Sequence, residues 1–597
     1  MSGASGGGRP GGGGVTGSSL DLRGLVSRGA VGPLGLHLAE SLGRLSGEAR
    51  PEVLAAAALA ARSVEESHVC LDLAGPRRPA GAPEPEAWAE ALRSSPLVSD
   101  GSGPAPLVLD AAGRRLYLRR YWELERRLAQ SLLERARAPE SAPRSAEVDD
   151  AALRRVLGET PDPHQLAALR NALSRRLCVI AGGPGTGKTT VAGRLLRLLF
   201  ERAREAGEPP PRVDLLAPTG RAAVRLEQAL RPADGRIPEG PSPLGELRAS
   251  TIHRRLGLRP GLASPRYDRD RPLAADTVIV DEASMVDLSL MLKLLEAVRP
   301  DARLVVLGDP DQLASVQAGA VLADLCGRGL DSERRSGPLA ESLVELRHGY
   351  RSAEHRGIAE LAEAIRDGRA DEALAQLNDA SVEEVSLQPS AGTDEGLRAL
   401  RNRALEGYGP CLDAEGPAGR LNGLDAFRVL CARRSGPGSV EALHRAIEKA
   451  LVESGRVAAG ATAYPGLPVG VLRNDAELGL YNGDLGVLDR APDGGGLQAF
   501  FRLGGGASES GFALASLPEH ELRWTATVHK SQGAEYDAVA VSLPDEPESP
   551  LLTRELLYTA VTRARREVRV HATAEALRAA IGRPTRRDSG LRDRLWG

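Results

Sequence analysis

Lysine is almost missing from this sequence. Of 77 basic residues in a chain of 597, only Lys188, Lys293, Lys449 and Lys530 are lysine. Arginine stands almost everywhere else, so a persisting lysine marks a place where a compact, flexible charge is wanted and a planar guanidinium would not serve. Aromatic residues make up 3% of the chain, which leaves little surface for stacking bases. Five cysteines (Cys70, Cys178, Cys326, Cys411 and Cys431) are scattered without a C-x-x-C pair. That spacing argues against zinc fingers, iron–sulfur clusters and a disulfide framework, and it suits a reducing cytoplasm. No apolar run reaches the ~18 residues that a membrane span needs. The glycine-rich start lacks the apolar stretch of a signal peptide. The net charge of −3 gives no global basic field, so any nucleic-acid site must be a local groove.

What is present suffices for real cores, at 42% hydrophobic residues. The length suggests about three to five domains. Residues 1–18 read as a disordered Gly/Ser-rich tail, 19–137 as a mostly helical domain, and 138–150 as a linker. Arg114–Arg137 places apolar residues at helical spacing between arginines, which is first a solvated amphipathic helix and only second a DNA face. From 151 onward, short apolar runs alternate with helical segments: Leu177–Ala181, Val213–Ala217, Thr277–Val280 and Leu304–Leu307. A second set follows at Phe427–Ala432, Ala538–Ser542 and Val568–Ala572. This alternation predicts α/β architecture, with parallel sheets in two lobes at 151–348 and 349–597. A Gly-rich stretch at about 456–518 reads as a small β insertion in the second lobe.

The chemistry concentrates in a few motifs. Gly182, Gly183, Pro184, Gly185, Thr186, Gly187, Lys188, Thr189 and Thr190 run from the end of an apolar strand into a helix, the context that a phosphate-binding loop requires. Glycines let backbone N–H groups turn toward phosphate oxygens, and the helix N-terminus adds partial positive charge. Lys188 would reach the β- and γ-phosphates of ATP, and Thr189 would place its hydroxyl on Mg²⁺. Asp281 and Glu282 follow the run Thr277–Val280; Asp281 suits a hydrated Mg²⁺ and Glu282 a base for the attacking water. Gly308–Leu313 ends the next strand, and Gln312 there could sense the γ-phosphate or that water. Trp524, Tyr536 and Tyr558 read as core residues first and as stacking platforms second.

Taken in order, these motifs resemble those of superfamily 1 helicases, built on two RecA-like P-loop lobes. The resemblance makes Gln165, in Pro163-His164-Gln165, the adenine reader. Ala217–Ala223 is similar to the first DNA-contacting motif, with Thr219 and Gly220, and Ser250–His253 to the next, with Thr251 and His253. Tyr350-Arg351-Ser352 resembles the fourth motif, whose arginine meets the γ-phosphate. Thr527–Tyr536 is similar to the fifth, which couples DNA to ATP and would bring Thr527, His529 and Lys530 to the strand. Tyr558–Arg565 resembles the sixth, with Arg563 as a second arginine. An arginine reaching across a cleft is worth ~10³–10⁵ in phosphoryl transfer and makes hydrolysis depend on lobe closure. Arg473–Gly486 resembles a segment of RecD-type helicases. His68–Leu73, Pro106–Leu109, Leu116–Glu125 and Arg586–Leu591 resemble the N-terminal domain and the end of exodeoxyribonuclease V alpha subunits.

That resemblance implies an ATP-dependent 5′-to-3′ DNA helicase motor. It would work in a heterotrimer with RecB- and RecC-type subunits on double-strand breaks in recombinational repair, docking through its N-terminal domain. The nuclease centre belongs to the RecB-type partner, and no second cluster of carboxylates here suggests another. Two other readings stay open. A stand-alone RecD-type helicase would carry a longer N-terminal region with helix-hairpin-helix elements. A non-translocating ATP-binding assembly subunit would not need the full set of Lys188, Asp281, Glu282, Gln312 and Arg563. The role of the insertion near 232–248 is left unassigned.

Overall fold

The computed structural model describes residues 20–597 except 138–149, 158–161, 231–246, 259–263, 348–355, 476, 492–493 and 504–508. The Gly/Ser-rich tail, nearly all of the 138–150 linker, most of the 232–248 stretch and Arg351 therefore lie outside the described residues. So does the expected lobe boundary at 348/349.

The chain divides into two compact units. The smaller comprises residues up to Arg126 together with Gln317–Gly319 and Arg587–Gly590. Its helices Pro33–Ser46 and Pro51–Glu65 pack closely because they present small residues: a Cβ at Gly35 would stand 2.8 Å from the Ala58 carbonyl. Trp88 is fully buried and donates its indole N–H to the Glu52 carbonyl at 2.9 Å. Beside the expected helices stands a small four-stranded sheet, in the order Leu71–Asp72, Arg115–Leu118, Leu107–Leu109, Val98–Ser99. Strands this short are below the length at which a period-2 pattern shows in a sequence. The late segment Arg587–Gly590 belongs here through buried Glu125, which accepts from Ser589 Oγ (3.1 Å) and Gly590 N–H (2.9 Å).

The larger unit holds two parallel sheets. The first has six strands in the order Leu343–Leu346, Leu177–Gly182, Arg303–Gly308, Thr277–Val280, Val213–Ala217, Ala249–Thr251, every pair parallel. Its inner strands are almost wholly buried, as strands covered on both faces must be. The outermost two are only half-buried and so carried no apolar run to announce them. The second sheet is also parallel, ordered Val385–Gln388, Ala564–His571, Tyr536–Ser542, Phe427–Cys431, Thr525–Thr527. Five antiparallel strands between Pro468 and Leu522 form the inserted sheet, whose last strand, His520–Leu522, lies beyond the expected end at 518. Among the described residues no helix is long and apolar enough to cross a membrane.

Trp524, Tyr536 and Tyr558 are all buried, so their rings serve the core rather than a base-stacking surface.

Candidate active site

The phosphate loop is built as its sequence requires. The buried strand Leu177–Gly182 delivers the chain to the loop, and the helix Lys188–Glu205 carries it away. Gly185 (φ 76°) and Gly187 (φ 89°) take left-handed conformations that a Cβ would strain. Such turns let the backbone N–H groups of a loop face a phosphate. The Lys188 ammonium donates to the Gly182 and Gly183 carbonyls at 2.7 and 2.8 Å, and the Thr186 hydroxyl donates to the Gly183 carbonyl at 2.8 Å.

A cleft of about 800 Å³ opens beside the loop. It collects Gln165, Pro184, Gly185, Gly187, Lys188, Thr189, Thr190, Asp281, Glu282, Gln312 and Arg563 from the residues singled out in the sequence. Gly182, Gly183 and Thr186 line a neighbouring cavity, which shares Pro184 with the cleft. Asp281 follows the strand Thr277–Val280, half-buried and next to Glu282. Burial, and then the neighbouring Glu282 charge, push its carboxyl up to about 6, while Lys188 and a hydrogen bond with Thr189 pull the other way. Glu282 has φ 53°, one of two non-glycine residues with positive φ among the described residues. A strained backbone at a carboxylate beside a phosphate loop is where functional sites store such strain.

The turn Gly308–Leu313 is held from both lobes. Within the first lobe, Gln312 Nε2 donates to Asp309 at 3.2 Å, and Arg328 pairs with Asp311 at 2.7 Å. From the second lobe, the Tyr558 hydroxyl donates to Asp309 at 3.0 Å. Gln532 Nε2 donates to the Leu313 carbonyl at 2.9 Å, and the Leu313 N–H donates to the Thr559 hydroxyl at 2.9 Å. The Leu313 side chain packs into the core of the second lobe. Burial and the Asp309 and Asp311 charges raise the Tyr558 hydroxyl well above its ordinary value, so it stays a proton donor. Gln312 Oε1 is buried and has no hydrogen-bond partner among the described residues, leaving an acceptor in the cleft.

Arg563 enters the same cleft from the second lobe. It is 2% exposed and anchored by donation to the Thr559 and Ala534 carbonyls, both at 3.1 Å. Arg351 lies outside the described residues, so the structure says nothing of the other arginine.

The expected DNA residues sit away from this cleft, at the carboxyl ends of strands. Thr219 follows Val213–Ala217 and accepts from the Ala222 N–H at 3.2 Å, where the helix Gly220–Leu230 begins. Thr251 caps Ile252–Leu256 by accepting from Arg254, and Thr527 accepts from the Lys530 N–H at 3.4 Å. His253, His529 and Lys530 are exposed, and Lys530 pairs with Glu521 at 2.6 Å. Gly220 lies under Tyr481 of the inserted sheet region, where a Cβ would come within 2.5 Å of that side chain. The helix Gly220–Leu230 starts at the expected DNA motif, and Ala222, Arg225 and Leu226 line the nucleotide cleft. One rigid element thus touches both places.

Asp162 and Arg194 are among the cleft residues that the sequence motifs do not name. Asp162 caps the helix Pro163–Ser174 and fixes the approach of Gln165. Arg194 donates to Gln165 Oε1 at 2.6 Å. Arg194 stands four residues after Thr190, on the same helical face, and that periodicity was the available signal. Arginine is so common here that one more carries little signal.

Three family models match the chain. They are the RecBCD enzyme subunit RecD N-terminal domain over residues 27–117, an AAA domain over 165–318 and a UvrD-like helicase C-terminal domain over 523–571. The chain is 41% identical over 588 residues to RecBCD enzyme subunit RecD of Mycobacterium tuberculosis, covering 96% of each. It is 42% identical over 577 residues to the same subunit of Mycolicibacterium smegmatis, covering 94% of this chain and 97% of that one. Likeness to the ATP-dependent RecD2 DNA helicase of Deinococcus radiodurans is 32% and spans 81% of this chain but 58% of that protein. A solved structure of Bacteroides Pif1 bound to single-stranded DNA overlaps at TM-score 0.36 and 17% identity, over 70% of this chain and 93% of that one. With the matched domains in this order and the likeness running nearly end to end, the chain belongs to the family of RecBCD enzyme RecD subunits.

Proposed function

We propose that this chain is the ATP-driven DNA motor subunit of a RecBCD-type helicase and nuclease, moving 5′ to 3′ on one strand of a broken duplex. One observation carries the reading. Lys188, Asp281, Glu282 and Gln312 of the first lobe and Arg563 of the second line a single cleft beside the phosphate loop. Such a cleft is complete only when both lobes contribute to it, and that is how hydrolysis becomes tied to movement.

The donor set fits a magnesium ion. The Thr189 hydroxyl and the Asp281 carboxylate are hard oxygen donors in mutual contact, and a half-buried carboxylate beside a second one is better kept ionised by a cation. When bound, the ion would neutralise charge on the phosphates. Lys188 would exchange its two carbonyl partners for phosphate oxygens. Glu282 would take the proton of the attacking water, and Gln312 Oε1 would accept that water's other hydrogen bond. Arg563 would meet the charge that builds on the transferred phosphoryl group. Thr219, Thr251, Thr527, His529 and Lys530 would hold the strand mainly by its phosphates, with little sequence preference.

RecB- and RecC-type subunits are the partners this reading names, with the N-terminal unit as docking body, in the cytoplasm. The RecD2 likeness supports a stand-alone helicase as a second reading, but it covers little more than half of that protein. Co-purification with RecB- and RecC-type chains separates the two. The test of the motor is unwinding of 5′-tailed against 3′-tailed duplexes with ATP and Mg²⁺, beside Lys188→Gln. Unwinding of the 5′-tailed substrate only, lost in the variant, is expected. An unchanged ATP turnover in Lys188→Gln would overturn the site.

A further inference from the structure

The Gln165 side-chain amide is pinned from both ends. Arg194 Nη1 donates to its oxygen at 2.6 Å, and its nitrogen donates to the Thr186 carbonyl at 3.4 Å. Turning the amide over would set its NH₂ against the guanidinium and its oxygen against a backbone carbonyl, so both contacts would become repulsive. The residue itself is anchored by Asp162, whose carboxylate accepts from the His164 and Gln165 N–H groups at 2.8 and 3.0 Å. Gln165 is 4% exposed, so a mispaired amide would also lack solvent to turn to. Each end of the amide keeps one unused valence, a second lone pair on Oε1 and a second hydrogen on Nε2.

The position suits a nucleobase. Six residues of helix separate Arg194 from Lys188, about 9 Å at 1.5 Å per residue. Arg194, Gln165, Asp162 and Leu157 line the same cleft as the loop. With the phosphates on Lys188, this is where the far end of a nucleoside triphosphate arrives. Adenine shows an acceptor at N7 beside a donor at its 6-amino group, and a glutamine amide in one orientation matches both. A 6-oxo purine shows two acceptors there, and the pinned amide oxygen would face its O6.

We propose that Arg194 is a positioning residue for nucleobase choice: it locks the Gln165 amide so that the cleft accepts adenine and rejects 6-oxo purines. The inference rests on the reading of this cleft as a nucleoside triphosphate site. Arg194 does not touch the reacting phosphate; its effect passes through Gln165. The Thr186 carbonyl also ties that amide to the phosphate loop, so base and loop are set together.

The test compares kcat/KM for ATP, ITP and GTP in the full chain with single-stranded DNA. In Arg194→Met the preference for ATP over ITP is expected to fall about tenfold, the scale of one mispaired buried hydrogen bond. GTP is expected to move with ITP, because its 2-amino group lies off the edge in question. Arg194→Lys, which keeps a donor, is expected to regain part of the preference. Should Arg194→Met turn over too slowly, calorimetric binding of ADP against IDP reads the same ratio. An unchanged preference in Arg194→Met, or a loss that falls equally on all three nucleotides, would overturn the proposal. Absence of ATP hydrolysis in the unaltered chain would instead overturn the reading of the cleft.

Discussion

The two lobes hold their functional groups in different ways. In the first, Lys188, Gln165 and Asp281 are each fixed by neighbours in the same lobe: the Gly182 and Gly183 carbonyls, Thr186 with Arg194, and Thr189. Nucleotide binding can therefore be built before the lobes meet. The second lobe brings Arg563 to the cleft, held by its own backbone, with Glu535 and Arg565 also on the lining. It also holds part of the first lobe, through Tyr558, Thr559 and Gln532 on the turn Gly308–Leu313. On the proposed reading, this difference would separate binding, which is local, from turnover, which would need the crossings.

The sharpest way to break that division is Arg563→Ala. DNA-stimulated turnover is expected to fall about 10³-fold, the low end for loss of such an arginine, while ATP binding persists. Loss of both in a folded variant, measured by nucleotide titration beside steady-state hydrolysis, would mean that binding is shared between the lobes. Tyr558→Phe is a finer cut, because it keeps the buried ring and removes only the hydroxyl that reaches Asp309. Turnover is expected to fall about tenfold with unchanged nucleotide affinity, as for one hydrogen bond of ~1.4 kcal/mol. An equal change in affinity would place Asp309 in binding rather than in coupling.

The smallest effect concerns a crossing that costs stability. Asp484, in the inserted sheet region, accepts from the Tyr481 N–H at 2.7 Å and lies in a small cavity with Arg221, Asp425 and Arg502. Burial pushes its carboxyl up to about 6, against the pull of the Tyr481 N–H and Arg221. A carboxyl whose folded value lies above its unfolded value loses stability as pH rises through that window. Asp484→Asn is thus expected to raise the melting temperature slightly at pH 8, with the difference vanishing below about pH 4. A melting temperature lowered at pH 8 would show that the ionised carboxylate stabilises this face.

Much of the site was legible because its parts are contiguous and end buried strands. The phosphate loop, Asp281 with Glu282, and the Gln312 turn each follow an apolar run at the carboxyl end of a parallel strand. What stayed hidden depends on packing between distant segments. Tyr558 read as a core residue, and its ring is one, but its hydroxyl does work that only the neighbouring Asp309 reveals. Arg194 carried no mark in a chain where arginine replaces nearly every lysine. The edge strands Ala249–Thr251 and Leu343–Leu346 lacked apolar runs because they are half-exposed. The small sheet near the N-terminus is made of strands of two to four residues, below the length at which alternation can be seen.

All five thiols are buried, and burial raises each above its ordinary value. Cys70 belongs to the N-terminal unit, Cys178 and Cys326 to the first lobe, and Cys411 and Cys431 to the second. A thiol-directed dye therefore finds no ready target on the folded chain, and each body carries its own internal clock. The rate at which label accumulates on each cysteine counts how often that body opens, and a single engineered surface cysteine would report lobe motion against a silent background.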